Sequence, residues 1–589
     1  MPFNLSKITL IILAVIASRP ALSEDKPTQK DESDIEKLII TASPLGRSVL
    51  QSSTPVSILS GEELEKNQSA TLGETLKSVP GVNSTYFGPV ASSPIIRGLD
   101  GPRVKVLQNG MDSSDASRVG PDHIATTEAS TATQIEVLRG PSTLLYGSGA
   151  IGGVVNVVDN RLPKTLQEGL NGRVSALHDT VSNERTVSTD INGGQDKFAW
   201  HLDAFSRKSD DYDIPDFTLE DGDIIDTLEN SDIDSQGFTL GAGWIGDDVT
   251  LSLAYGRLET DYGIPGHAHD EHEEEGHDDE EGHDEEMEDE EAVFARMKQD
   301  RFQSVVDWKN LSGWFTEAHW HNAYTEYQHS EIEGGEVGTT FKNDSLESRL
   351  WAKHAAVGGW QGVVGLHYKN SDFSAVGEEA FTPSTESISN ALFVLEEKTI
   401  GNFLWQLGAR LEHVSHKPDN AFFTNSEVNA NFDEVSYTAN SLSAGFVYQV
   451  DEDQSFAVNY AHSERAPSSA EIFSNGIHIS TSTFEVGAGF DLVIDDSDPN
   501  DLEFTLLQSN QETKKEVSNN LDLTYRLQTE HLHANFSVFY NQIDNYLFQQ
   551  NTGLEFHENE EEHAGEELEA EGHDDEEHEE EGLPVYVFN

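Results

Sequence analysis

The chain has 589 residues, no cysteine and a formal net charge of −71, from 107 acidic and 36 basic residues. The acidic excess argues against a nucleic-acid partner, whose phosphates would be repelled, and favours cations as ligands. Without cysteine, disulfides, thiolate metal sites and cysteine nucleophiles are excluded. This length exceeds one ordinary core, so it predicts either two domains or one very large β architecture.

The first 23 residues have the features of a secretory signal peptide. Lys7 precedes an apolar run over residues 8–17, and Ala21-Leu22-Ser23 provides an A-x-A-like cleavage site. The run is too short to span a bilayer, and no other stretch reaches the roughly 18 apolar residues that a spanning helix needs. A helical membrane protein is therefore excluded, whereas a transmembrane β-barrel is allowed, because its strands alternate apolar and polar residues.

Residues 24–53 are charged or unpatterned and are predicted to be disordered, apart from one β-prone island. The island consists of Glu36, Lys37, Leu38, Ile39, Ile40, Thr41 and Ala42. It fits either the first edge strand of the following domain or an extended peptide that adds as a strand to a partner protein.

Between residues 54 and 159, short β-prone runs alternate with glycine-rich turns. The densest part, residues 135–158, reads IEVLRGPSTLLYGSGAIGGVVNVV. Glycine at that density suits backbone packed tightly in a small domain, although an ordinary glycine-rich turn between two strands is the plainer alternative. The motifs upstream cover residues 54–59, 71–76, 80–82, 95–98 and 103–111.

In this order the motifs resemble the plug domain of TonB-dependent outer-membrane receptors. The resemblance implies an N-terminal α+β plug domain over 54–159, held inside the lumen of a transmembrane antiparallel β-barrel. It also implies that residues 36–42 are a TonB box, which binds the periplasmic protein TonB, itself energised by ExbB and ExbD. The expected location is the Gram-negative outer membrane, in contact with its lipid, and the expected state is a monomer.

From residue 172 to the end, alternating segments predict the barrel strands. Residues 403–413 show two distinct faces, one suited to lipid and one to a polar lumen, and aromatic residues lie near segment ends. A soluble β-sandwich or propeller would also alternate, but the signal peptide and the plug motifs argue against it. There are about sixteen such segments, whereas a barrel enclosing a plug needs roughly 22 strands. The sequence therefore predicts a chain truncated relative to the full-length family.

Two insertions are rich in histidine and carboxylate. Residues 266–291 and 555–581 each contain sixteen Asp and Glu, and neither contains Lys or Arg. We expect both to be extracellular, disordered loops that bind Zn²⁺ or a neighbouring divalent ion weakly at many positions. Their histidines are His267, His269, His272, His277, His283, His557, His563, His573 and His578.

A separate candidate is the pair Asp122-His123 in the plug region. Asp122 could cap a short helix and leave His123 exposed, or the two side chains could be metal ligands. Together with the histidine-rich insertions and the segment from Tyr324 to Glu333, the pair resembles the zinc receptors of this family (the ZnuD type). In that type a zinc site forms between the plug Asp-His pair and a barrel Glu and His, which here match Glu331 and His478.

The barrel glutamate is the least certain part of this match. Glu333 and Glu336 lie close to Glu331, and in a strand Glu331 and Glu333 share a face. The chain also has Arg465-Ala466-Pro467, which resembles a barrel signature of the wider family. The Asn-Pro-Asn-Leu run often found in haem receptors is absent.

The sequence thus predicts a TonB-dependent importer of Zn²⁺, with zinc as transported ligand and no cofactor. No enzymatic activity is expected, since no residue pattern resembles a nucleophile with its base. The alternatives are a receptor for haem, a metallophore or nickel, and a surface metal-buffering or adhesion protein that does not transport.

Overall fold

The computed structural model describes residues 40–589 except 42–43, 121, 220–221, 223, 266–292, 334, 378–379, 426–427, 429, 479–480, 499–500, 530 and 558–581. The predicted signal peptide, most of the predicted TonB box, the insertion 266–291 and all but three residues of the insertion 555–581 lie outside the described residues. All described residues belong to one unit, Leu38–Asn589. No helix among them is both long and apolar enough to cross a membrane.

The N-terminal part is a small α+β domain, as the sequence predicted. Its strands are β1 (Val56–Ser60), β2 (Val82–Ser84), β3 (Pro94–Ile96), β4 (Val104–Gln108), β5 (Met111–Asp112), β6 (Gln134–Arg139) and β7 (Gly153–Val158). Its helices are α1 (Gly61–Asn67), α2 (Leu72–Leu76) and α3 (Thr143–Tyr146), with 3-10 turns at Val49–Gln51, Gly101–Arg103 and Ser148–Ala150.

Five of these strands form the plug sheet, in the order β1-β6-β7-β4-β5. Apolar residues of its strands and of α1 and α2 form a core that includes Leu64, Leu76, Ile135 and Val155. Gly153, at the start of β7, shows why glycine is needed in this stretch. A Cβ atom there would lie 2.7 Å from the Leu138 carbonyl oxygen and 2.7 Å from Ile96 Cδ1.

The rest of the chain is mainly long strands. They are β8 (Gly169–His178), β9 (Arg185–Gln195), β10 (Phe198–Lys208), β11 (Tyr212–Thr218), β12 (Ile224–Leu228), β13 (Ile233–Ile245), β14 (Val249–Gly263), β15 (Phe294–Trp308), β16 (Phe315–Glu333), β17 (Glu336–His354), β18 (Gln361–Gly377), β19 (Thr385–Ile400), β20 (Phe403–Pro418), β21 (Val435–Gln449), β22 (Gln454–Arg465), β23 (Asn475–His478), β24 (Thr483–Val486), β25 (Phe490–Asp498), β26 (Asp501–Gln508), β27 (Glu516–Gln528), β28 (His533–Asp544), β29 (Gln549–Phe556) and β30 (Leu583–Phe588). Two short helices join them, α4 (Ala421–Asn425) and α5 (Ser469–Phe473).

Fifteen strands form one antiparallel sheet, in the order β8-β9-β10-β13-β14-β15-β16-β17-β18-β19-β20-β21-β22-β27-β28. The predicted two-faced alternation is present: on β20, Arg410 and Glu412 are buried, whereas Leu407 and Leu411 are exposed. Buried polar residues therefore face the plug, and exposed apolar residues face outward, where a membrane-embedded barrel meets lipid.

A second, smaller layer closes one end of the large sheet. It contains the four-stranded sheet β23-β24-β30-β29 and the hairpin β25-β26. Phenylalanines from α4, from the connection between α4 and β21, from α5 and from β25 pack against one another; they are Phe423, Phe432, Phe473 and Phe490. This layer positions β23 above the plug.

Ion pairs and hydrogen bonds fix the plug inside the large sheet. The Arg103 guanidinium donates to Glu516 at 3.1 Å, and Arg97 lies 2.8 Å from Asp522. The Arg526 side chain donates to the Thr54 carbonyl at 3.0 Å. Residues 44–53, for which disorder was predicted, also contact the sheet. Arg47 donates to Glu397 at 2.8 Å, and the Ser53 N–H donates to Gln406 at 2.8 Å.

Candidate metal site

The plug contributes Asp122 and His123 from the long connection between β5 and β6. Both side chains are buried. No helix follows them among the described residues 122–133, so Asp122 is not a helix cap. Its Oδ2 lies 3.4 Å from His123 Nε2. The structure therefore removes the plainer alternative that the sequence left open for this pair.

The large sheet contributes Glu331 and His329 from the end of β16. Glu331 Oε1 lies 3.6 Å from His123 Nε2 and 3.4 Å from His329 Nε2. One ligand atom from each of His123, His329 and Glu331 lies within 4.8 Å of the others. Glu336 is exposed, which removes it as a ligand at this position, and the Glu333 side chain is outside the described residues.

The closing layer contributes His478 at the end of β23. Its Nε2 lies 3.6 Å from Asp122 Oδ1, and its Nδ1 is 2.8 Å from Glu485 Oε1 on β24. Asp122 thus stands between His123 and His478. The four residues predicted from sequence (Asp122, His123, Glu331 and His478) lie together at the junction of plug and sheet.

The spacing of neighbouring donor atoms suits a small cation. Two ligands at about 2.1 Å in a tetrahedron are about 3.4 Å apart, and the successive contacts from His478 through Asp122, His123 and Glu331 to His329 are 3.6, 3.4, 3.6 and 3.4 Å. Among the described residues, His123, His329 and Glu331 are the three that bring one ligand atom each within 4.8 Å of the others. Asp122 Oδ1 is buried and has His478 Nε2 at 3.6 Å as its neighbour, beyond ordinary hydrogen-bond length. A buried carboxylate needs a compensating positive charge, which either the protonated His478 ring or a bound cation would supply.

Neighbouring groups fix the orientation of the imidazoles. His123 Nδ1 is 3.2 Å from the Ala116 carbonyl, so Nδ1–H donates there and Nε2 is left for a ligand. The Tyr327 hydroxyl is 2.9 Å from His329 Nδ1, and the Phe341 ring stacks on His329 with centroids 4.7 Å apart. Buried apolar side chains around these rings weaken screening, which strengthens charge interactions at the site.

The pKa values of Asp122, His123 and His478 reflect the charges that these side chains place next to one another. Burial alone would raise the pKa of Asp122, but His123 and His478 outweigh it and hold that pKa well below its usual range. Burial alone would lower the pKa of His478, yet Asp122 and Glu485 raise it to about 10. The pKa of His123 is raised as well, because Asp122 and Glu331 outweigh its burial.

Two residues of this cluster were not predicted as ligands from the sequence. His329 stands two residues before Glu331 in a strand, so period-two alternation could have placed it on the same face. Glu485 is brought to His478 only by the pairing of β23 with β24, in which His478 is opposite Thr483. No local pattern in the sequence signals that contact.

The remaining predicted residues are mostly outside the described part of the chain. His557 is described and directly follows β29, whereas the other eight histidines of the insertions are outside the described residues. Of the predicted TonB box, only Ile40 and Thr41 are described. Ile40 is buried, and the Thr41 hydroxyl donates to Glu136 Oε1 of the plug at 2.8 Å.

A plug packed by ion pairs into a sheet of long antiparallel strands defines a receptor of the plugged-barrel class. The family model described as "TonB-dependent Receptor Plug Domain" matches residues 48–154, and the one described as "TonB dependent receptor-like, beta-barrel" matches residues 169–570. The second match covers more than half of the chain. The chain belongs to the TonB-dependent receptor family.

Solved structures with the same fold include several metal and haem receptors. The copper transporter OprC is 15% identical with a TM-score of 0.64, and the match covers 84% of this chain and 73% of OprC. The FrpB iron transporter from Neisseria meningitidis (F3-3 variant) is 14% identical with a TM-score of 0.63, covering 85% and 73%. The Serratia marcescens hemophore receptor HasR, solved with its hemophore HasA and heme, is 15% identical with a TM-score of 0.61, covering 85% and 74%.

Proposed function

We propose that this receptor imports a divalent metal ion, Zn²⁺, across the Gram-negative outer membrane, driven by TonB with ExbB and ExbD. The observation that carries the proposal is the buried cluster of Asp122, His123, His329, Glu331 and His478 between plug and sheet. Neighbouring nitrogen and oxygen donors about 3.5 Å apart, without sulfur, suit Zn²⁺. No bond is made or broken in this activity, so the protein is not an enzyme.

The division of the ligands suggests how the ion is released. Asp122 and His123 belong to the plug, whereas His329, Glu331 and His478 belong to the sheet and its closing layer. A movement of the plug therefore separates the two halves of the coordination shell. The ion would lose ligands when a path opens between plug and sheet. The affinity for the ion would then fall without any change in pH or metal concentration.

The histidine-rich insertions have a supporting role in this proposal. The insertion 266–291 connects β14 to β15, and β14 carries Tyr262, whose hydroxyl donates to the Asp122 carbonyl at 3.3 Å. The insertion 555–581 connects β29 to β30, and β30 pairs with β24, the strand of Glu485. Both insertions are thus joined to strands that contact or pair beside the cluster, so capture by the insertions would raise the ion concentration near it.

Histidine and carboxylate ligands also suit Ni²⁺ and Cu²⁺, so the ligand set by itself leaves the choice of metal to experiment. Haem or a metallophore would need an open cavity in place of these close donor contacts. Growth of a deletion strain under zinc restriction, with and without added nickel or haem, separates these cargoes. Rescue by zinc supply alone supports the proposal, and rescue by haem alone contradicts it.

The direct test replaces Asp122 and His123 with Ala in the full chain. We expect the variant to lose one tightly bound Zn²⁺ and to lose zinc uptake at limiting zinc, while weaker binding by the insertions remains. The matched control is His178→Ala with Asp179→Ala, an exposed His-Asp pair at the end of β8. Unchanged tight binding in the Asp122/His123 variant would place the zinc site elsewhere. Tight binding without uptake in the wild type would favour the metal-buffering alternative.

A further inference from the structure

β16 presents histidine near both ends of its inward-facing row. His329 and Glu331 belong to the cluster described above, and His319 and His321 lie near the opposite end of the strand. Ten residues separate His319 from His329, which is roughly 33 Å along an extended strand. Asp307, next to them, is near the end of β15, whereas the long connection from β14 to β15, between Gly263 and Phe294, joins the other end of β15. Long connections face the outside in barrels of this kind, so the opposite strand ends face the periplasm. His319 and His321 are therefore at the periplasmic end of the interface between plug and sheet.

Asp307 completes a second group of imidazole and carboxylate at that end. It lies on β15 directly opposite His319, and its Oδ1 accepts a hydrogen bond from His319 Nδ1 at 2.7 Å. His321 Nε2 is 3.6 Å from the same oxygen. The distance from His319 to Asp307 is too short for two ligands of one ion, so it is a hydrogen bond. The distance from His321 to Asp307 matches the donor spacing of the cluster around Asp122.

These side chains line a cavity of about 440 Å³ between plug and sheet. Trp351 forms part of its wall, and the His319 ring stacks on the indole with centroids 5.1 Å apart. The indole Nε1–H is buried and has no acceptor among the described residues. The cavity is large enough for several water molecules, which could serve both this N–H and an ion.

We propose that Asp307 and His321 form a second divalent-cation site at the periplasmic end of the plug–sheet interface. His319 is a positioning residue that orients the Asp307 carboxylate, and water completes the coordination shell. The inference rests on the proposed function: an ion that leaves the cluster around Asp122 is held here before it enters the periplasm.

The charges around the cavity fit a site of release. Lys164 and Arg349 line the same cavity, and their positive charge lowers its affinity for a cation. Only two protein ligands hold the ion, against four or five in the cluster around Asp122. An ion therefore binds more weakly here, which is what passage toward the periplasm requires.

The cavity also connects the site to the N-terminal segment. Ile40 and Thr41, the described end of the predicted TonB box, form part of its wall. Displacement of these two residues would enlarge the cavity in which the ion is held. Release from the second site is thereby linked to the same pull that moves the plug.

Anomalous diffraction at the zinc edge tests the proposal with crystals of the full chain soaked in Zn²⁺. We expect one peak at Asp122 and a second, appearing at higher zinc, between Asp307 and His321. His321→Ala should remove only the second peak, and His319→Ala should weaken binding there by about 10- to 100-fold. The matched control is His413→Ala, an exposed histidine on β20, which should keep both peaks. If His321→Ala does not assemble, the near-isosteric Asp307→Asn tests the same peak.

The outcomes separate the two proposals. A peak at Asp122 without a second one at saturating zinc overturns this inference and leaves the proposed function intact. A peak at Asp307 alone supports this site and contradicts the proposed function. No peak at either position contradicts both. Zinc accumulation by cells provides an independent measure: His321→Ala should slow uptake while tight binding at Asp122 is unchanged, and equal uptake would contradict a role in transport.

Discussion

At the scale of single residues, the site depends on a carboxylate that faces two imidazoles. Asp122 lies between His123 and His478, and each of these rings has a raised pKa in the metal-free protein. A proton must therefore leave each ring before zinc can bind. Protons therefore compete with the metal up to a higher pH than they would at histidines with the ordinary pKa.

This competition predicts a pH dependence of zinc affinity. The sequence alone predicts a fall in affinity below about pH 6.5, the ordinary histidine pKa. With the pKa of His478 at about 10, affinity should instead keep rising from pH 6.5 to 8.5, by up to about tenfold per pH unit for each ring that is still protonated. Competition with a chelator of known affinity measures this in the full chain. An affinity that levels off above pH 7 would contradict it.

A second residue-scale prediction concerns Glu485. Its hydrogen bond to His478 Nδ1 directs Nε2 toward Asp122, and loss of such an orienting partner typically costs about 10- to 100-fold in metal affinity. We expect Glu485→Ala to weaken tight zinc binding by that factor and Glu485→Gln, which keeps a hydrogen bond, to weaken it less. Glu336→Gln is the matched control, since Glu336 is exposed and was the alternative ligand in the sequence analysis. Equal effects of all three would show that Glu485 does not orient His478.

At the scale of elements, alternation made most of the fold predictable. A strand was expected over residues 403–413 from two-faced alternation, and β20 extends over Phe403–Pro418. The glycine-rich stretch 135–158 was expected to be part of a plug domain, and it contains β6 and β7. The fifteen strands of the large sheet are close to the sixteen segments expected. The closing layer was not expected, because β23, β24 and β30 are short and their pairing joins segments about a hundred residues apart.

Residues of the site differ in how clearly the local sequence signals them. Asp122 and His123 stand out because they are adjacent, and Glu331 is part of a recognisable motif. Glu485 has neither signal, since its role comes from strand pairing alone. The ordering of residues 44–53 was missed for a similar reason: their partners, such as Gln406 at 2.8 Å from the Ser53 nitrogen, are more than 300 residues away.

The predicted TonB box gives a test at the same scale. Replacing Ile39 with Pro removes a backbone N–H that strand addition to TonB requires. We expect zinc uptake to be lost and tight zinc binding to be unchanged, because Asp122 and His123 are not altered. The matched control is Ile39→Val, which keeps the N–H. Normal uptake by the Pro variant would show that TonB does not bind here.

At the scale of the whole molecule, the insertion 266–291 tests whether capture and import are separate tasks. β14 and β15 pair over their full lengths of 15 residues below the insertion, so the hairpin can be closed by a short turn. We expect a variant that lacks residues 266–291 to assemble and to take up zinc normally at high zinc supply. Its uptake should be slower than that of the wild type at limiting zinc. Cell zinc content across a range of supply measures both limits. Loss of assembly would mean that the insertion is part of the fold.

The placement of the ligands on two separate parts of the protein has a mechanical consequence. A bound ion cross-links the plug to the surrounding sheet, in addition to ion pairs such as Arg97 with Asp522. Under the proposed function, a bound ion therefore strengthens the contact between plug and sheet that must loosen during transport. More work is needed to displace the plug of a loaded receptor than of an empty one, and the coordination bonds set the difference. Under the proposed function, the strength of zinc binding and the force that TonB must supply would thus be coupled, so tighter capture would be matched by a higher energetic cost of delivery.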